Sequence, residues 1–345
     1  MRTAVLTEPG RFEIEDRPRP DPGPDEVVVA VGEVGICGSD LHYYERGRIG
    51  DYVVEESLVL GHESAGEVVG VGDAVSDLEA GDRVALEPGV PCRRCERCKR
   101  GEYNLCPDVT FMATPPDDGA FAEYVAWPTD FAHRLPDEVS IREGALCEPL
   151  SVGLHAARRG EVGAGDSVLV TGAGPIGLLA MAAARAAGAT TVVVADVVEA
   201  KRRRATERGA DAVVDPGEED LAEAVRAETD GEGVDVVIEA SGAESAIRGS
   251  LDAVRRGGTV VFVGLPTEAA IPLDVGDIVD SELDVRGSFR YRNAYPAAID
   301  LVADGAVDLA GIVDFAADLA DVDDAFRRAA DPETVKGMVR VGGSR

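Results

Sequence analysis

Short runs of apolar residues, separated by glycine and proline turns, fill the first 150 residues. Two such runs are Glu26-Val27-Val28-Val29-Ala30-Val31 and Glu67-Val68-Val69-Gly70-Val71, and Gly81-Asp82-Arg83-Val84 has the form of a turn that leads into another strand. Short strands bounded by turn residues are typical of β-rich folds. The pattern therefore predicts a β-rich domain over residues 1–150.

The pattern changes near residue 151, where strand-like and helix-like segments begin to alternate. Ser167-Val168-Leu169-Val170 precedes an alanine-rich helix over about Pro175 to Ala187, and later strands are predicted around residues 191–195, 212–214, 235–238, 259–263 and 283–286. Strands that alternate with helices indicate a doubly wound parallel sheet. We therefore predict an α/β fold class, with this sheet over residues 151–291. The tail, residues 292–345, is expected to form two helices and a final strand at 338–341, and to return to the first domain.

The composition adds an unusual charge to this picture. The chain has 345 residues, of which 45% are hydrophobic, and 65 acidic side chains against 34 basic ones give a net charge of −31. Among the basic residues only Lys99, Lys201 and Lys336 are lysine. Such a surface repels phosphates and anionic lipids, so nucleic acid and membranes are not expected as partners. The acidity and the scarcity of lysine favour a protein of a salt-rich cytoplasm, as in halophiles, over an ordinary acidic bacterial protein.

The N-terminal residues and the cysteines indicate the cellular compartment. The N-terminus has no long apolar run, so we expect no signal peptide, and no stretch is apolar enough to span a membrane. We expect a cytoplasmic protein whose six cysteines are metal ligands or free thiols rather than disulfides.

A glycine loop lies at the predicted junction of strand and helix. Gly172-Ala173-Gly174-Pro175-Ile176-Gly177 has the G-x-G-x-x-G spacing of dinucleotide-binding loops, and Asp196 ends the next strand. An acidic residue there accepts hydrogen bonds from ribose hydroxyls and repels a 2′-phosphate, which favours NAD over NADP. Lys201 and the arginines that follow it argue for NADP instead, because they could pair with a 2′-phosphate. Most of them are explained equally well as a solvated helix face.

Four cysteines organise residues 88–107. Cys92, Cys95, Cys98 and Cys106 form a C-x2-C-x2-C-x7-C run, which is able to hold one zinc tetrahedrally. Four thiolates leave no position for a substrate, so the predicted role is structural. A zinc knuckle for nucleic acid is the alternative, and the net charge disfavours it.

Several further motifs carry a family resemblance over essentially the whole chain. Gly61-His62-Glu63 with Gly66, Gly72 and Val75 resembles the zinc signature of the medium-chain, zinc-containing alcohol dehydrogenases. The resemblance to the sorbitol (polyol) dehydrogenase branch of this family lies in residues 35–44, 47–50, 113–119, 148–153 and 289–291. The resemblance implies a GroES-like catalytic domain, a Rossmann NAD-binding domain, and one catalytic and one structural Zn²⁺ in each chain. It also implies pairing into a homodimer or homotetramer.

The resemblance assigns the catalytic residues. It implies a catalytic zinc bound by Cys37, His62 and Glu148, with Glu63 beside the metal or bound through water. Cys147 precedes Glu148, and other branches use a cysteine in this region; the match of residues 148–153 favours Glu148, with Cys147 as a buried thiol. Zinc acts as a Lewis acid on the substrate hydroxyl, whose carbon gives a hydride to NAD.

The remaining assignments concern the proton and the substrate. Ser39 and His42 are implied to relay the proton to solvent, whereas His133 and His155 lie in no motif and are interpreted as structural. Tyr43, Phe111, Arg290 and Tyr291 occupy the positions that line the polyol pocket, although the aromatic residues fit a core role equally well.

These features predict a dehydrogenase that takes a hydride from a secondary hydroxyl of a polyol such as sorbitol or xylitol and yields a ketose. L-threonine, butanediol or an aldose are alternative substrates for the same mechanism. An alternative of another class is a non-catalytic protein that binds NAD and zinc.

Overall fold

A computed structural model describes residues 1–266 and 270–342 of the chain. It divides into two compact units, one formed by residues 1–148 and 295–345 and the other by residues 149–294. The helix α3 (Ile141–Arg159) contains the boundary between them.

The first unit is built mainly from strands, as its short apolar runs predict. Its strands before the boundary are β1 (Arg2–Glu8), β2 (Arg11–Asp16), β3 (Glu26–Gly35), β4 (Arg48–Ile49), β5 (Tyr52–Val53), β6 (Leu58–Val59), β7 (Glu63–Val71), β8 (Arg83–Leu86), β9 (Gly89–Val90), β10 (Thr110–Phe111), β11 (Tyr124–Pro128) and β12 (Ala132–Arg134). The helices α1 (Gly38–Arg46) and α2 (Glu96–Lys99) interrupt them, with short 3₁₀ turns at Tyr103–Leu105 and Thr129–Phe131.

The second unit alternates strands and helices. Its elements are β13 (Ser167–Thr171), α4 (Pro175–Ala187), β14 (Thr191–Ala195), α5 (Glu199–Glu207), β15 (Ala212–Val214), α6 (Leu221–Glu228), β16 (Val234–Glu239), α7 (Glu244–Ala253), β17 (Val254–Phe262), α8 (Val275–Asp280) and β18 (Asp284–Gly287). The last elements of the chain belong to the first unit and are α9 (Tyr295–Ala303), β19 (Val313–Asp318), α10 (Val322–Ala329) and β20 (Lys336–Arg340), with 3₁₀ turns at Ala310–Ile312 and Leu319–Asp321.

The largest sheet of the first unit places distant segments side by side. Its order is β12-β8-β7-β3-β20-β19, and β11 also pairs with β3. Within it, Gly35 at the end of β3 lies opposite both Glu63 of β7 and Met338 of β20. The start of β7, the end of β3 and the C-terminal strand therefore meet at one point of the sheet. Smaller sheets have the orders β2-β1-β6, β10-β9 and β4-β5.

The sheet of the second unit is parallel throughout, in the order β15-β14-β13-β16-β17-β18. This is the doubly wound arrangement, in which the strand order reverses between β13 and β16 and ligands bind outside the carboxyl ends of the strands. The prediction of an α/β fold with a doubly wound sheet is confirmed. Strand β17 begins at Val254, five residues before the predicted start, because Val254 already pairs with Val234 before a register shift in the ladder.

Each unit has its own apolar core. Aromatic rings dominate one part of the first core, where Phe12, Tyr44, Phe121 and Phe326 pack with ring centroids 4.8–6.4 Å apart. In the second unit the core consists of strand residues such as Leu169 and Val237, which are fully buried. Among the described residues, no helix has the length and apolar character needed to cross a membrane.

Candidate functional site

The first cluster of chemically active side chains lies where β3, α1 and β7 meet. Cys37 is the N-cap of α1, His62 directly precedes β7, and Glu63 is the first residue of that strand. Because Gly35 pairs with Glu63 across the sheet, the three residues face the same small volume. Their ligand atoms all lie within 4.8 Å of one another. A thiol, an imidazole and a carboxylate at this separation fit the donor set of a catalytic zinc site.

Asp40 lies next to this cluster and holds its backbone and the His62 ring in place. It lies in the first turn of α1, is 1% exposed, and accepts hydrogen bonds from the backbone N–H of Cys37 at 3.0 Å and of Gly61 at 3.2 Å. Its Oδ1 is 3.5 Å from Nδ1 of His62. A carboxylate on Nδ1 fixes the imidazole so that Nε2 is the nitrogen available to a metal.

Burial and the neighbouring charges shift the pKa of His62 in opposite directions. Burial would lower the pKa of the His62 imidazole, but the negative charges of Asp40 and Cys37 outweigh it and hold that pKa well above its usual value. The site is therefore strongly cation-attracting, and a proton and a metal ion compete for the same imidazole.

Lys336 makes a buried ion pair with Glu63 of this cluster. Its Nζ donates to Oε1 of Glu63 at 2.6 Å and to the carbonyl of Ile36 at 2.9 Å, and both side chains of the ion pair are 1% exposed. Burial would lower the pKa of the Lys336 ammonium, but the charges of Glu63 and Cys37 raise it. The lysine is therefore a permanent cation beside the candidate metal site.

Sequence reasoning missed both Asp40 and Lys336. For Asp40, the available signal was a carboxylate three residues after the N-cap of a helix, the spacing of a capping interaction. For Lys336, it was a lysine just before the predicted final strand, in a chain that has only three lysines.

Cys147 and Glu148 are adjacent on α3 but differ in character. The thiol of Cys147 is fully buried, and desolvation, followed by the charge of Glu143, raises its pKa to about 12. The carboxylate of Glu148 is 4% exposed, and its charge contributes to raising the pKa of Lys336. Within the described residues, the group of ligand atoms closer than 4.8 Å comprises Cys37, His62 and Glu63, without Glu148 or Cys147.

The residues predicted for proton relay and substrate recognition divide between the units. Ser39 and His42 are half-buried on α1 and are one helical turn apart, so they share a face. Phe111 is buried, with its ring centroid 5.7 Å from that of His62, and Tyr43 is buried on α1.

The other two substrate candidates lie in the second unit. Arg290 has a φ of +52°, a left-handed backbone that favours glycine, and its guanidinium lies 4.9 Å from the ring centroid of Phe289. Tyr291 beside it is 3% exposed. A strained residue of this kind persists where the surrounding structure imposes it, as in binding sites.

The four remaining clustered thiols form a second site. The sulfur atoms of Cys92, Cys95, Cys98 and Cys106 lie within 4.8 Å of one another, with Sγ–Sγ distances of 3.4 Å for Cys95–Cys98 and 3.9 Å for Cys95–Cys106. Backbone N–H groups of Arg94 and Cys95 point at the Cys92 sulfur and lower its pKa to about 6. Clustered thiols with N–H donors aimed at the sulfurs suit a four-coordinate zinc.

The lobe that carries these cysteines is tied to the rest of the first unit. Arg93, which has a φ of +59°, makes a two-pronged ion pair with Asp130 at 2.6 and 2.9 Å. Tyr103 donates to Oε1 of Glu87 at 2.8 Å, and His133 lies 2.9 Å from the other oxygen of this buried carboxylate. His133 therefore holds a structural position.

In the second unit the glycine loop joins β13 to α4. Gly172 has a φ of +91°, which permits the turn, and a Cβ on Gly177 would lie 1.7 Å from the carbonyl oxygen of Gly172. At Gly174 an added Cβ would meet nothing within 4 Å, so the loop is open on this side. The open face and the N-terminus of α4, with Pro175 as its first residue and Ile176 next to it, form a cradle suited to a pyrophosphate.

Asp196 follows β14 and is connected to this loop. Its carboxylate accepts the N–H of Ala173 at 2.7 Å and of Val198 at 2.8 Å, which fixes it beside the glycine turn. Of the basic residues that follow, Arg202 is paired with Asp215 at 2.7 Å and Arg203 with Glu207 at 3.9 Å. Lys201 is half-buried at the start of α5. The two paired arginines are already compensated, so the local balance of charge at Asp196 disfavours a 2′-phosphate.

Comparison with known proteins identifies the family of the chain. Residues 23–137 match the family model of the alcohol dehydrogenase GroES-like domain, and residues 175–304 match that of the zinc-binding dehydrogenases. The chain therefore belongs to the zinc-containing medium-chain dehydrogenase family.

Relatives within the family include a sorbitol dehydrogenase and a probable xylulose reductase. A sorbitol dehydrogenase of Bacillus subtilis is 48% identical over 329 residues, which cover 95% of this chain and 93% of that protein. A probable D-xylulose reductase A of Aspergillus clavatus is 44% identical over 335 residues, 95% of this chain and 93% of that one. Among solved structures, an Escherichia coli oxidoreductase/dehydrogenase of unknown specificity, involved in membrane biogenesis, superposes with a TM-score of 0.95 at 37% identity and covers 99% of both chains. The predicted family and the prediction of a zinc-dependent dehydrogenase are confirmed.

Proposed function

We propose that this chain oxidises a secondary hydroxyl of a polyol of the sorbitol or xylitol type to a ketose, with NAD as the hydride acceptor. The observation that carries the proposal is the cluster of the half-buried Cys37 with the buried His62 and Glu63, in a chain 48% identical to a sorbitol dehydrogenase. The first unit supplies the catalytic domain and the second, with its glycine loop, the nucleotide-binding domain.

The catalytic zinc would be held by Cys37, His62, Glu63 and Glu148, of which the first three form the cluster. When bound, zinc supplies Lewis-acid activation of a hydroxyl group near neutral pH. The protein contributes the orientation: Asp40 fixes the imidazole of His62, and the N-cap position fixes the thiol of Cys37. The four-cysteine lobe would hold the second, structural zinc.

Proton release is assigned to α1. Ser39 accepts the hydroxyl proton of the substrate and passes it towards His42, whose half-buried position gives it access to solvent. Tyr43, Phe111, Arg290 and Tyr291 are assigned to the substrate, because several hydroxyls need several hydrogen-bond partners, which a simple alkanol would not require.

The cofactor assignment rests on the second unit. Gly172, Gly174, Pro175, Ile176 and Gly177 would bind the pyrophosphate, and Asp196 the ribose hydroxyls of NAD, with Lys201 at the edge of the site. Support comes from the backbone hydrogen bonds that hold Asp196 in place and from the pairing of Arg202 with Asp215.

A homodimer or homotetramer in the cytoplasm completes the proposal. Strand β18 is at the edge of its sheet and exposes 38% of its Val285, and Val275 and Val279 of α8 are exposed by 65% and 67%. An edge strand with apolar neighbours is suited to pairing with another copy. A reducing compartment is the one in which clustered thiols remain metal ligands.

The first test is NADH formation from NAD with a panel of sorbitol, xylitol, ethanol, L-threonine, butanediol and an aldose, in high KCl, with and without prior chelation. Activity on sorbitol or xylitol that chelation abolishes, and none on ethanol, is the expected result. Activity on threonine, butanediol or an aldose alone would keep the mechanism and overturn the substrate. A protein that binds zinc and NAD without activity on any of these substrates would favour the non-catalytic alternative.

Two neighbouring residues provide a matched pair of variants for the ligand set. Glu148→Gln is expected to lower the zinc content from two ions per chain towards one and to abolish activity, whereas Cys147→Ser is expected to retain both. The opposite result, measured by metal analysis of the purified variants, would transfer the ligand role to Cys147.

A further inference from the structure

Glu239 is a buried carboxylate at the carboxyl edge of the parallel sheet in the second unit. It is the last residue of β16 and is fully buried. In the sheet it pairs with Thr171, the last residue of β13, and with Phe262, the last residue of β17. Thr171 also pairs with Ala195, which directly precedes Asp196. Glu239 therefore lies in the same row as the strand ends that lead into the glycine loop and Asp196, on the other side of the point where the strand order reverses.

One oxygen of this carboxylate holds the turn that follows β16. Oε1 accepts the backbone N–H of Ser241 at 2.8 Å and of Gly242 at 2.9 Å, and it also accepts the hydroxyl groups of Ser241 and Thr171. The turn packs closely on the glycine loop, since a Cβ added to Gly172 would lie 3.0 Å from the backbone nitrogen and the Cβ of Ser241. Glu239 thus fixes a segment that borders the candidate nucleotide site.

The other oxygen of Glu239 is buried without a partner. Among the residues that the structure describes, Oε2 has no hydrogen-bond donor, and no basic side chain forms an ion pair with this carboxylate. A Cβ added to Gly264, just after β17, would lie 2.9 Å from Oε2. Burying a carboxylate without a cation is costly. A glutamine would accept the same backbone hydrogen bonds without a charge, so the charge calls for a role beyond holding the turn.

The expected position of the nucleotide suggests that role. In a doubly wound sheet a dinucleotide lies across the crevice at the point where the strand order reverses. The adenosine ribose is assigned to Asp196 on the β14 side, so the nicotinamide half belongs on the side of β16 and β17, where Glu239 lies. The oxidised nicotinamide ring carries a positive charge that the reduced ring lacks. A fixed negative charge in a site shielded from water therefore stabilises the oxidised ring selectively.

We propose that Glu239 sets the redox preference of the nucleotide site, because its buried charge raises the affinity for oxidised NAD relative to the affinity for NADH. The inference rests on the NAD site assigned under the proposed function, and it names a residue that distinguishes the two states of the cofactor. Such a preference suits an enzyme that takes up NAD and releases NADH in each turnover.

The experiment measures the Kd of the full-length protein for NADH by fluorescence titration and for NAD by displacement of NADH, at one fixed KCl concentration. Glu239→Gln keeps the hydrogen-bond acceptor and removes the charge. We expect the ratio of Kd for NAD to Kd for NADH to rise about fivefold, the order of magnitude for a unit charge roughly 10 Å from another in a partly screened site. A purely structural role would weaken both forms equally and leave this ratio unchanged. Glu228→Gln, which removes an exposed carboxylate at the end of α6, is the matched control and should keep the original ratio.

Glu239→Asp keeps the proposal testable if Glu239→Gln does not fold. It retains the charge but shortens the reach to Ser241 and Gly242, so both forms of the cofactor should bind more weakly while the ratio of their Kd values stays the same. An unchanged ratio in folded Glu239→Gln, or a ratio in Glu239→Asp that rises as far as expected for the loss of the charge, would overturn the role of Glu239. Failure of the unmodified protein to bind either NAD or NADH would instead count against the nucleotide site itself.

Discussion

His155 is a buried imidazole on α3 that has three arginines for neighbours. Burial, and then the positive charges of Arg292, Arg159 and Arg158, lower its pKa to about 4. In the unfolded chain its pKa is about 6.5. Between these two pKa values the unfolded state binds a proton that the folded state does not. The free energy of unfolding therefore falls as the pH is lowered from about 6.5 to 4, and below pH 4 it no longer depends on His155.

We therefore predict that His155→Gln flattens the acid side of the stability curve. The unmodified protein should lose about 2 kcal/mol more than the variant between pH 7 and pH 4, after screening by solvent of the interaction with the arginines. Denaturant unfolding at a series of pH values gives both curves. Parallel curves would show that His155 titrates normally in the folded protein, and an NMR titration of its imidazole provides an independent check.

Some residues of the candidate site could be predicted from the sequence, and others could not. Cys37, His62 and Glu63 stand in short local motifs, and the pairing of β3 with β7 places them together. Lys336 has no such motif, because its partner lies far away in sequence and only the position of β20 beside β3 joins them. The rarity of lysine marks Lys336 as unusual, but no local pattern identifies Glu63 as its partner.

Among the elements, α4 shows how closely local chemistry determines structure. Its predicted range, Pro175 to Ala187, agrees with the observed helix, because Pro175 suits the first turn and Gly188 ends the helix with a φ of +109°. The strand ends were less predictable. Strand β17 starts early because pairing with β16 extends it through polar residues that carry no apolar signal.

The approach of α4 to β13 gives a prediction for this element. Gly177→Ala would place a methyl group 1.7 Å from the carbonyl oxygen of Gly172, so either the helix or the turn must move. We expect a loss of about 1–3 kcal/mol in stability from overpacking. We also expect weaker binding of NADH, because the loop that approaches the pyrophosphate is the part displaced.

Gly287→Ala is the matched control, since an added Cβ there meets nothing within 4 Å. It should leave both the melting temperature and the dissociation constant for NADH, measured by fluorescence titration, at their original values. Equal binding of NADH by Gly177→Ala and the control would show that this close packing is not needed for the nucleotide site.

For the molecule as a whole, the dominant property is the net charge of −31. The arginines are largely engaged in ion pairs with the abundant carboxylates, as in Arg17 with Glu15 and Asp118 and Arg142 with Glu33. With 65 acidic residues against 34 basic ones, the net charge of −31 is the excess of carboxylates that the basic side chains cannot offset. Their mutual repulsion destabilises the compact state, and salt reduces it by shortening the screening length to roughly 3 Å at 1 M.

We predict that the melting temperature and the activity rise together as KCl increases from about 0.1 M to above 1 M, the range over which the screening length contracts. Sucrose separates screening from a general effect on burial, because it is excluded from protein surfaces without screening charge. Replacing the exposed Glu55, Glu56 and Glu228 by lysine raises the net charge from −31 to −25 and should lower the KCl concentration needed for half-maximal stability. Stabilisation by sucrose as large as that by KCl, or an unchanged KCl dependence in the triple variant, would contradict this prediction. The salt requirement would then arise from burial rather than charge, and the hypothesis of adaptation to a salt-rich cytoplasm would be wrong.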